Sequence, residues 1–290
     1  MVKIVSWNVN GIRSNILTNP GEKYTYSKSK PKPLEVGNES NFNELVNTYD
    51  PDIICIQECR CDQKIFEVIS TQFEHKYLNH STNPQRGRGS GYSGTCIFSK
   101  IKPEKVVNGM IYKNYTGEVI QPEGDNEGRC ITAYFKDFVI VNVYTPNSGT
   151  NEEYRLNTWD NHMYNFLEHL KQHYSKVVFL GDFNVCRESK DIFSGFPSAN
   201  NRVAGLLPEE RENIDKYIQL GYRDSYREKH PLIETAFTWW NPKIKTFREL
   251  NKGWRIDYIL IYTNESEVCK MADICSEIMG SDHCPIIAEI

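Results

Sequence analysis

The chain contains no long hydrophobic run. No stretch approaches the roughly twenty apolar residues that cross a bilayer, so a membrane-spanning helix is not expected. It contains no Cys-x-x-Cys pair, and Cys59-x-Cys61 has the wrong spacing for a common zinc knuckle, so structural zinc is not expected. Nor is there an excess of basic residues. Net charge is −4, whereas proteins that hold nucleic acid by bulk charge carry a basic footprint. That balance still allows a local basic rim around an acidic metal centre. No leader pattern stands ahead of Met1-Val2-Lys3-Ile4-Val5, which already reads as a strand, and this leads to the expectation of an intracellular protein. Without a secretory signal, nine cysteines, several inside apolar runs (Cys55, Cys96, Cys130), read as reduced, buried thiols.

What is present is 290 residues, 39% of them hydrophobic and 25% charged, enough for one sizeable core. No internal boundary is apparent, and residues 1–290 read as a single domain. Short apolar runs recur: Val2–Trp7, Ile53–Gln57, Thr95–Phe98, Cys130–Phe135, Phe138–Tyr144, Val177–Leu180, Arg255–Tyr262 and Pro285–Ile290. Their length and β-branched content predict strands, and Lys136-Asp137 predicts a tight hairpin between two of them. A helix is predicted from about Asn151 to Tyr174, with Trp159, Met163, Phe166, Leu167, Leu170 and Tyr174 on one face. A second spans Pro208–Leu220 and stops at Gly221. His169 and His173 lie four apart on the first helix; without an acidic third ligand they read as a solvated face rather than a metal site. The mixture of hairpins and helical crossovers predicts an α/β sandwich rather than a regular βαβ array. Residues 20–41, polar and without periodicity, read as a surface insertion.

Six strand ends carry polar groups out of apolar runs. They are Asn8 and Asn10; Glu58; Tyr144 with Asn147; Asp182 and Asn184; Asp257; and Asp282-His283. Any one of them is compatible with ordinary turn chemistry. Together they supply an imidazole, a carboxylate to orient it and hard oxygen ligands, such as Glu58 and Asp282, suited to Mg²⁺. Those are the parts of metal-assisted phosphodiester hydrolysis.

The motifs that contain these residues resemble the exonuclease III family of abasic-site endonucleases, within the DNase I-like superfamily. They are Ser6-Trp7-Asn8-x-Asn10-Gly11-Ile12-Arg13, Ile56-Gln57-Glu58, Gly91-Tyr92-Ser93-Gly94, Tyr144-x-Pro146-Asn147 and Gly181-Asp182-Phe183-Asn184-Val185. Two more follow, Gly253-Trp254-Arg255-Ile256-Asp257-Tyr258 and Gly280-Ser281-Asp282-His283-Cys284-Pro285. Ala236-Phe237-Thr238-Trp239-Trp240 points to the DNA-repair branch. The resemblance implies a four-layer α/β sandwich of two packed mixed β-sheets flanked by helices. It implies a monomeric, Mg²⁺-dependent nuclease (Mn²⁺ able to substitute) that cuts 5′ to abasic sites in double-stranded DNA, with 3′→5′ exonuclease or 3′-phosphodiesterase activity beside it.

The resemblance also implies roles. Glu58, Asn10 and Asp282 hold the metal. Asp182 positions or activates the attacking water, and His283, oriented by Asp257, meets the scissile phosphate. Tyr144, Asn184, Asn147 and Asn8 hold the phosphate or the leaving oxygen. Arg13, Tyr92, Asn200, Arg202, Trp239, Trp254 and Ile256 face the DNA or the flipped-out sugar. For the two tryptophans, plain core packing is the competing reading. The basic stretches Arg86–Gly89 and Lys28–Lys32 are read as phosphate contacts or solvated loops. A less specific nuclease, a phosphatase of the same fold and an idle DNA-binding protein stand as alternatives.

Overall fold

The computed structural model describes residues 1–19, 34–83, 92–122, 126–194 and 202–290. The basic stretches at Lys28–Lys32 and Arg86–Gly89 lie outside these residues. So do Asn200 and residues 20–33 of the expected insertion. From residue 34 the chain is built into the fold: Leu34–Glu35 pairs with Ile69–Ser70, and Ser40 caps a helix over Asn41–Tyr49 by accepting from the Asn43 amide.

Two six-stranded sheets form the centre. Their strands, in chain order, are β1 (Lys3–Asn8), β2 (Ile53–Gln57), β3 (His75–Asn79), β4 (Thr95–Ser99), β5 (Lys105–Asn108), β6 (Cys130–Tyr134), β7 (Val139–Tyr144), β8 (Lys176–Asp182), β9 (Arg223–Asp224), β10 (Asp257–Thr263), β11 (Met271–Ile274) and β12 (Ile286–Glu289). The first sheet has the order β11-β12-β1-β2-β4-β3 and the second β9-β10-β8-β7-β6-β5. In each sheet the central pair is parallel, β1 with β2 and β7 with β8, and every other pairing is antiparallel.

Side chains alternate between faces at the strand period of two, and both faces of each sheet are covered. Ile4, Ile53, Cys55 and Ile97 meet Ile131, Ile140, Val178, Leu180 and Ile259 between the sheets. Val5, Trp7, Ile54 and Phe98 turn outward onto Phe42, Leu45 and Phe66. On the far side Val141, Val143 and Phe179 pack against Trp159, Met163, Phe166 and Leu170. The result is the expected four layers, helices outside and two mixed sheets within. None of the nine cysteines is in a disulfide, and all are buried. Among the described residues no helix is long and apolar enough to cross a membrane.

The hairpin forms as expected, closed by Phe135 N donating to Phe138 O at 2.9 Å, with the two rings stacked. The long helix begins as a π-helical stretch, Tyr154–Trp159, and continues as α-helix over Asp160–His173. Tyr174 departs from expectation. It is extended, 38% exposed and packed on Tyr134, because the helix ends one residue earlier.

Candidate active site

The register of the strands gathers the polar groups at one edge of the sandwich. Tyr144, Asp182 and Asp257 lie side by side across β7, β8 and β10. In the facing sheet Asn8 is level with Gln57, and Glu58 follows directly. The central strands therefore contribute their C-terminal ends, whereas Asp257 opens β10 and Asp282-His283 precede β12.

Left-handed backbone turns each strand end into the site. Asn10, Glu58 and Asn184 have φ of 49°, 53° and 52°. Asparagine tolerates this region; for Glu58 it costs on the order of 1 kcal/mol. Gly181 has φ of +139°, and a Cβ there would lie 1.9 Å from the Val143 carbonyl oxygen. Only glycine lets β7 and β8 approach closely enough to bring Asp182 beside Tyr144.

Asn8 is fully buried. Its amide nitrogen donates to Glu58 Oε1 at 3.1 Å and Asp182 Oδ2 at 2.9 Å, while its oxygen accepts from the Asn10 amide at 3.0 Å. Both of its amide protons are used inside the protein. Asn8 thus orients two carboxylates. Asp182 Oδ1 accepts from the Asn184 amide at 2.8 Å, and its Oδ2 lies 3.8 Å from His283 Nε2. On the other ring edge, His283 Nδ1 is 2.9 Å from Asp257 Oδ2.

Burial pushes the Asp182 carboxyl up to about 7, with His283 opposing and Asp257 reinforcing the shift. Burial pulls His283 down, but the Asp257 and Asp182 carboxylates outweigh it and carry the imidazole to about 10. At neutral pH the ring therefore holds its proton between two carboxylates. The half-buried Tyr144 phenol is raised by desolvation and by Glu58, so it remains a neutral donor.

These shifts fix a sign for stability. The raised imidazole value contributes stability that is complete below its ordinary 6.5 and is lost as pH rises through about 10. The raised Asp182 value favours the neutral acid in the fold, a contribution present below 3.8 and lost through about 7. Both slopes are downward with pH. The melting temperature is expected to fall between pH 6 and pH 10, and to fall less steeply in His283→Asn; scanning fluorimetry across that range checks it.

Two groups of residues could hold a cation. Ligand atoms of Asp182, Asp257 and His283 all lie within 4.8 Å of one another, but both imidazole nitrogens already face carboxylates and the ring is protonated. The second group is Glu58, Asn10 and Asp282. Glu58 pairs with Arg60 and keeps its side chain 12% exposed; Asn10 Nδ2 donates to Asp282 Oδ1 at 2.9 Å. Two carboxylates and an amide oxygen are a hard donor set that fits Mg²⁺.

The remaining residues divide. Asn147 Nδ2 donates to Asn184 Oδ1 at 3.2 Å, and Asn184 donates to the Thr145 carbonyl, so these two belong together. Trp239 Nε1 donates to Asp282 Oδ2 at 3.1 Å, and its ring meets Trp254 edge-on at 5.4 Å. Trp254 and Ile256 are buried with Cys186 and Leu206. Tyr92 accepts from Arg129 Nη2 at 2.7 Å. Arg13 sits on the short helix Ile12–Asn15 that follows β1. Arg202 is not drawn in: it is exposed and ion-paired to Glu152 and Glu209.

Two residues escaped the sequence reading. Arg129 lies under the site with its guanidinium 4.7 Å from the Tyr144 ring centroid, and it also donates to the Tyr144 carbonyl at 3.2 Å. Its position just ahead of the apolar run at Cys130 is the only sequence signal for it. Thr238 donates to Asp257 Oδ2 at 2.6 Å.

A family model described as Endonuclease/Exonuclease/phosphatase family matches residues 5–283. The chain is 32% identical over 288 residues to an exodeoxyribonuclease of Bacillus subtilis (strain 168), covering 98% of both proteins. It is 32% identical to the DNA repair nuclease APEX1 of Danio rerio, covering 98% of this chain and 81% of the relative. The solved AP endonuclease LMAP of Leishmania major matches in fold with a TM-score of 0.76 at 23% identity, covering 99% of this chain and 86% of that one.

Proposed function

The chain belongs to the Endonuclease/Exonuclease/phosphatase family, and from that premise we propose that it is a DNA repair nuclease of the exonuclease III kind. It hydrolyses the phosphodiester 5′ to abasic sites in double-stranded DNA with Mg²⁺, acts as a monomer, and trims 3′ ends as a second activity. The observation that carries this reading is the buried file Asp182–His283–Asp257, opening beside Glu58 and Asp282. It sets a carboxylate with a raised proton affinity beside a protonated imidazole.

Bound Mg²⁺ would neutralise phosphate charge and polarise the scissile bond. The protein supplies the rest. Asp182 takes the proton of the attacking water, and His283 presents Nε2–H to a phosphate oxygen. The Asn184 and Asn147 amides and the neutral Tyr144 phenol hold the remaining oxygens. An abasic sugar costs little to unpair, and apolar walls such as Trp239 and Trp254 suit a sugar without a base.

The test is a labelled duplex with one abasic analogue, beside an intact duplex and a soluble inositol phosphate, each with Mg²⁺ or with chelator. One incision 5′ to the lesion, leaving a 3′-hydroxyl and abolished by chelator, is expected. Equal cutting of the intact duplex, or release of phosphate from the inositol compound alone, would overturn the proposal.

The metal assignment has its own expected result. Glu58→Gln keeps the side-chain shape and removes its charge, so Mn²⁺ affinity measured by calorimetry should fall on the order of tenfold. Cleavage at limiting Mg²⁺ should fall with it and recover at high Mg²⁺. A variant that binds Mn²⁺ as tightly as the parent would move the cation to the Asp182–Asp257–His283 group.

A further inference from the structure

We propose that Thr238 is a positioning residue that fixes the orientation of the Asp257 carboxylate, and through it which edge of the His283 ring serves the reaction; this rests on the reading that His283 acts on the phosphate. Thr238 lies in a segment held between Trp254 and the Asp282–Cys284 turn. Its own amide donates to the Trp254 carbonyl at 2.8 Å, and its carbonyl accepts from Cys284 N at 2.8 Å. The side chain is fully buried, and its hydroxyl oxygen accepts from two backbone amides, Ile256 N and Asp257 N, both at 3.1 Å.

A hydroxyl has two acceptor lone pairs and one proton. With both lone pairs engaged, that proton has one destination, Asp257 Oδ2 at 2.6 Å. The same oxygen receives His283 Nδ1–H at 2.9 Å, while Asp257 Oδ1 is buried without a hydrogen-bond partner. A carboxylate with one bare oxygen is held on one side only, and can tilt so that the bonded oxygen leaves the line of the imidazole N–H. The hydroxyl opposes that tilt, because moving the accepting oxygen away would strand the Thr238 proton. Nδ1–H stays on Asp257, and Nε2 stays aimed at Asp182.

Three variants test this. Thr238→Ser keeps the hydroxyl. Thr238→Val keeps the volume and removes the hydroxyl. Thr238→Cys keeps the volume with a weak donor and acceptor, and serves if the valine variant does not fold. The hydrogen-bonded Nδ1–H of His283, observed by NMR in histidine-labelled protein without DNA, should persist in the parent and Thr238→Ser and broaden or vanish in Thr238→Val and Thr238→Cys. In parallel, kcat on the abasic duplex should fall about 10- to 100-fold with KM little changed, the size typical when a partner that orients a histidine is removed. Serine should restore both. Loss of the NMR signal with kcat intact would refute the role of His283 at the phosphate and not the hydrogen-bond claim. An unaltered Nδ1–H in folded Thr238→Val or Thr238→Cys would overturn the proposal itself.

Discussion

Asp182→Asn is expected to lower kcat for phosphodiester cleavage by about 10²- to 10⁴-fold, the range in which positioned proton transfer contributes. The residue is fully enclosed, two donors fix its carboxylate, and burial has lifted its proton affinity to about 7. A base of that strength is matched to neutral solution. It is ionised often enough to work and basic enough to draw a proton from water. Asparagine preserves the outline and cannot take the proton. The parent rate should climb as pH rises through about 7 and decline near 10, as Asp182 loses its proton and then His283 loses its own. Single-turnover rates on an abasic duplex, with a thermal melt as a folding control, decide the matter. A folded Asp182→Asn enzyme that cuts at the parent rate would show that the base lies elsewhere.

The second large effect is shared by two residues. His283→Asn and Asp257→Asn should each reduce the rate strongly, the histidine change by about 10²- to 10⁴-fold. The double variant should be scarcely worse than His283→Asn alone. In the proposed mechanism Asp257 acts only through the imidazole, which it meets across a 2.9 Å contact. Groups that act as one unit give strongly non-additive losses. A cycle whose two losses simply multiply would mean that Asp257 serves the reaction independently of His283.

The strands that could be read from the sequence are those buried on both faces, such as Ile53–Gln57 and Cys130–Tyr134, because such strands appear as unbroken apolar runs. Within the two six-stranded sheets, the four that could not, β3, β5, β9 and β11, are the outermost strands. His75–Asn79 and Lys105–Asn108 are partly exposed and mix charged with apolar residues, as edge strands do. The helix Asn41–Tyr49 was hidden by the polar texture before it, although Ser40 as cap and Phe42, Leu45 and Val46 on one face were visible signals. In the site, residues whose chemistry stands at a strand end were legible: Glu58, Asp182, Asp257 and His283. Thr238 and Arg129 were not. Each works by holding another side chain, and neither a threonine before two tryptophans nor an arginine before a strand announces that in one dimension.

The pairing of β1 with β12 joins distant parts of the chain. Lys3 is level with Glu289, and the Val2 and Ile290 backbones exchange hydrogen bonds. A ribosome releases Asn8 and Glu58 early and Asp257 and His283 late. Until β12 emerges, β1 lacks one of its two neighbours and the first sheet cannot close. Domains generally fold as units, and pairings between distant segments form slowly. A nascent chain thus carries Asn10 and Glu58 without Asp282, and Asp182 without His283. Both sets of side chains therefore stay incomplete until the last strand takes its place beside the first.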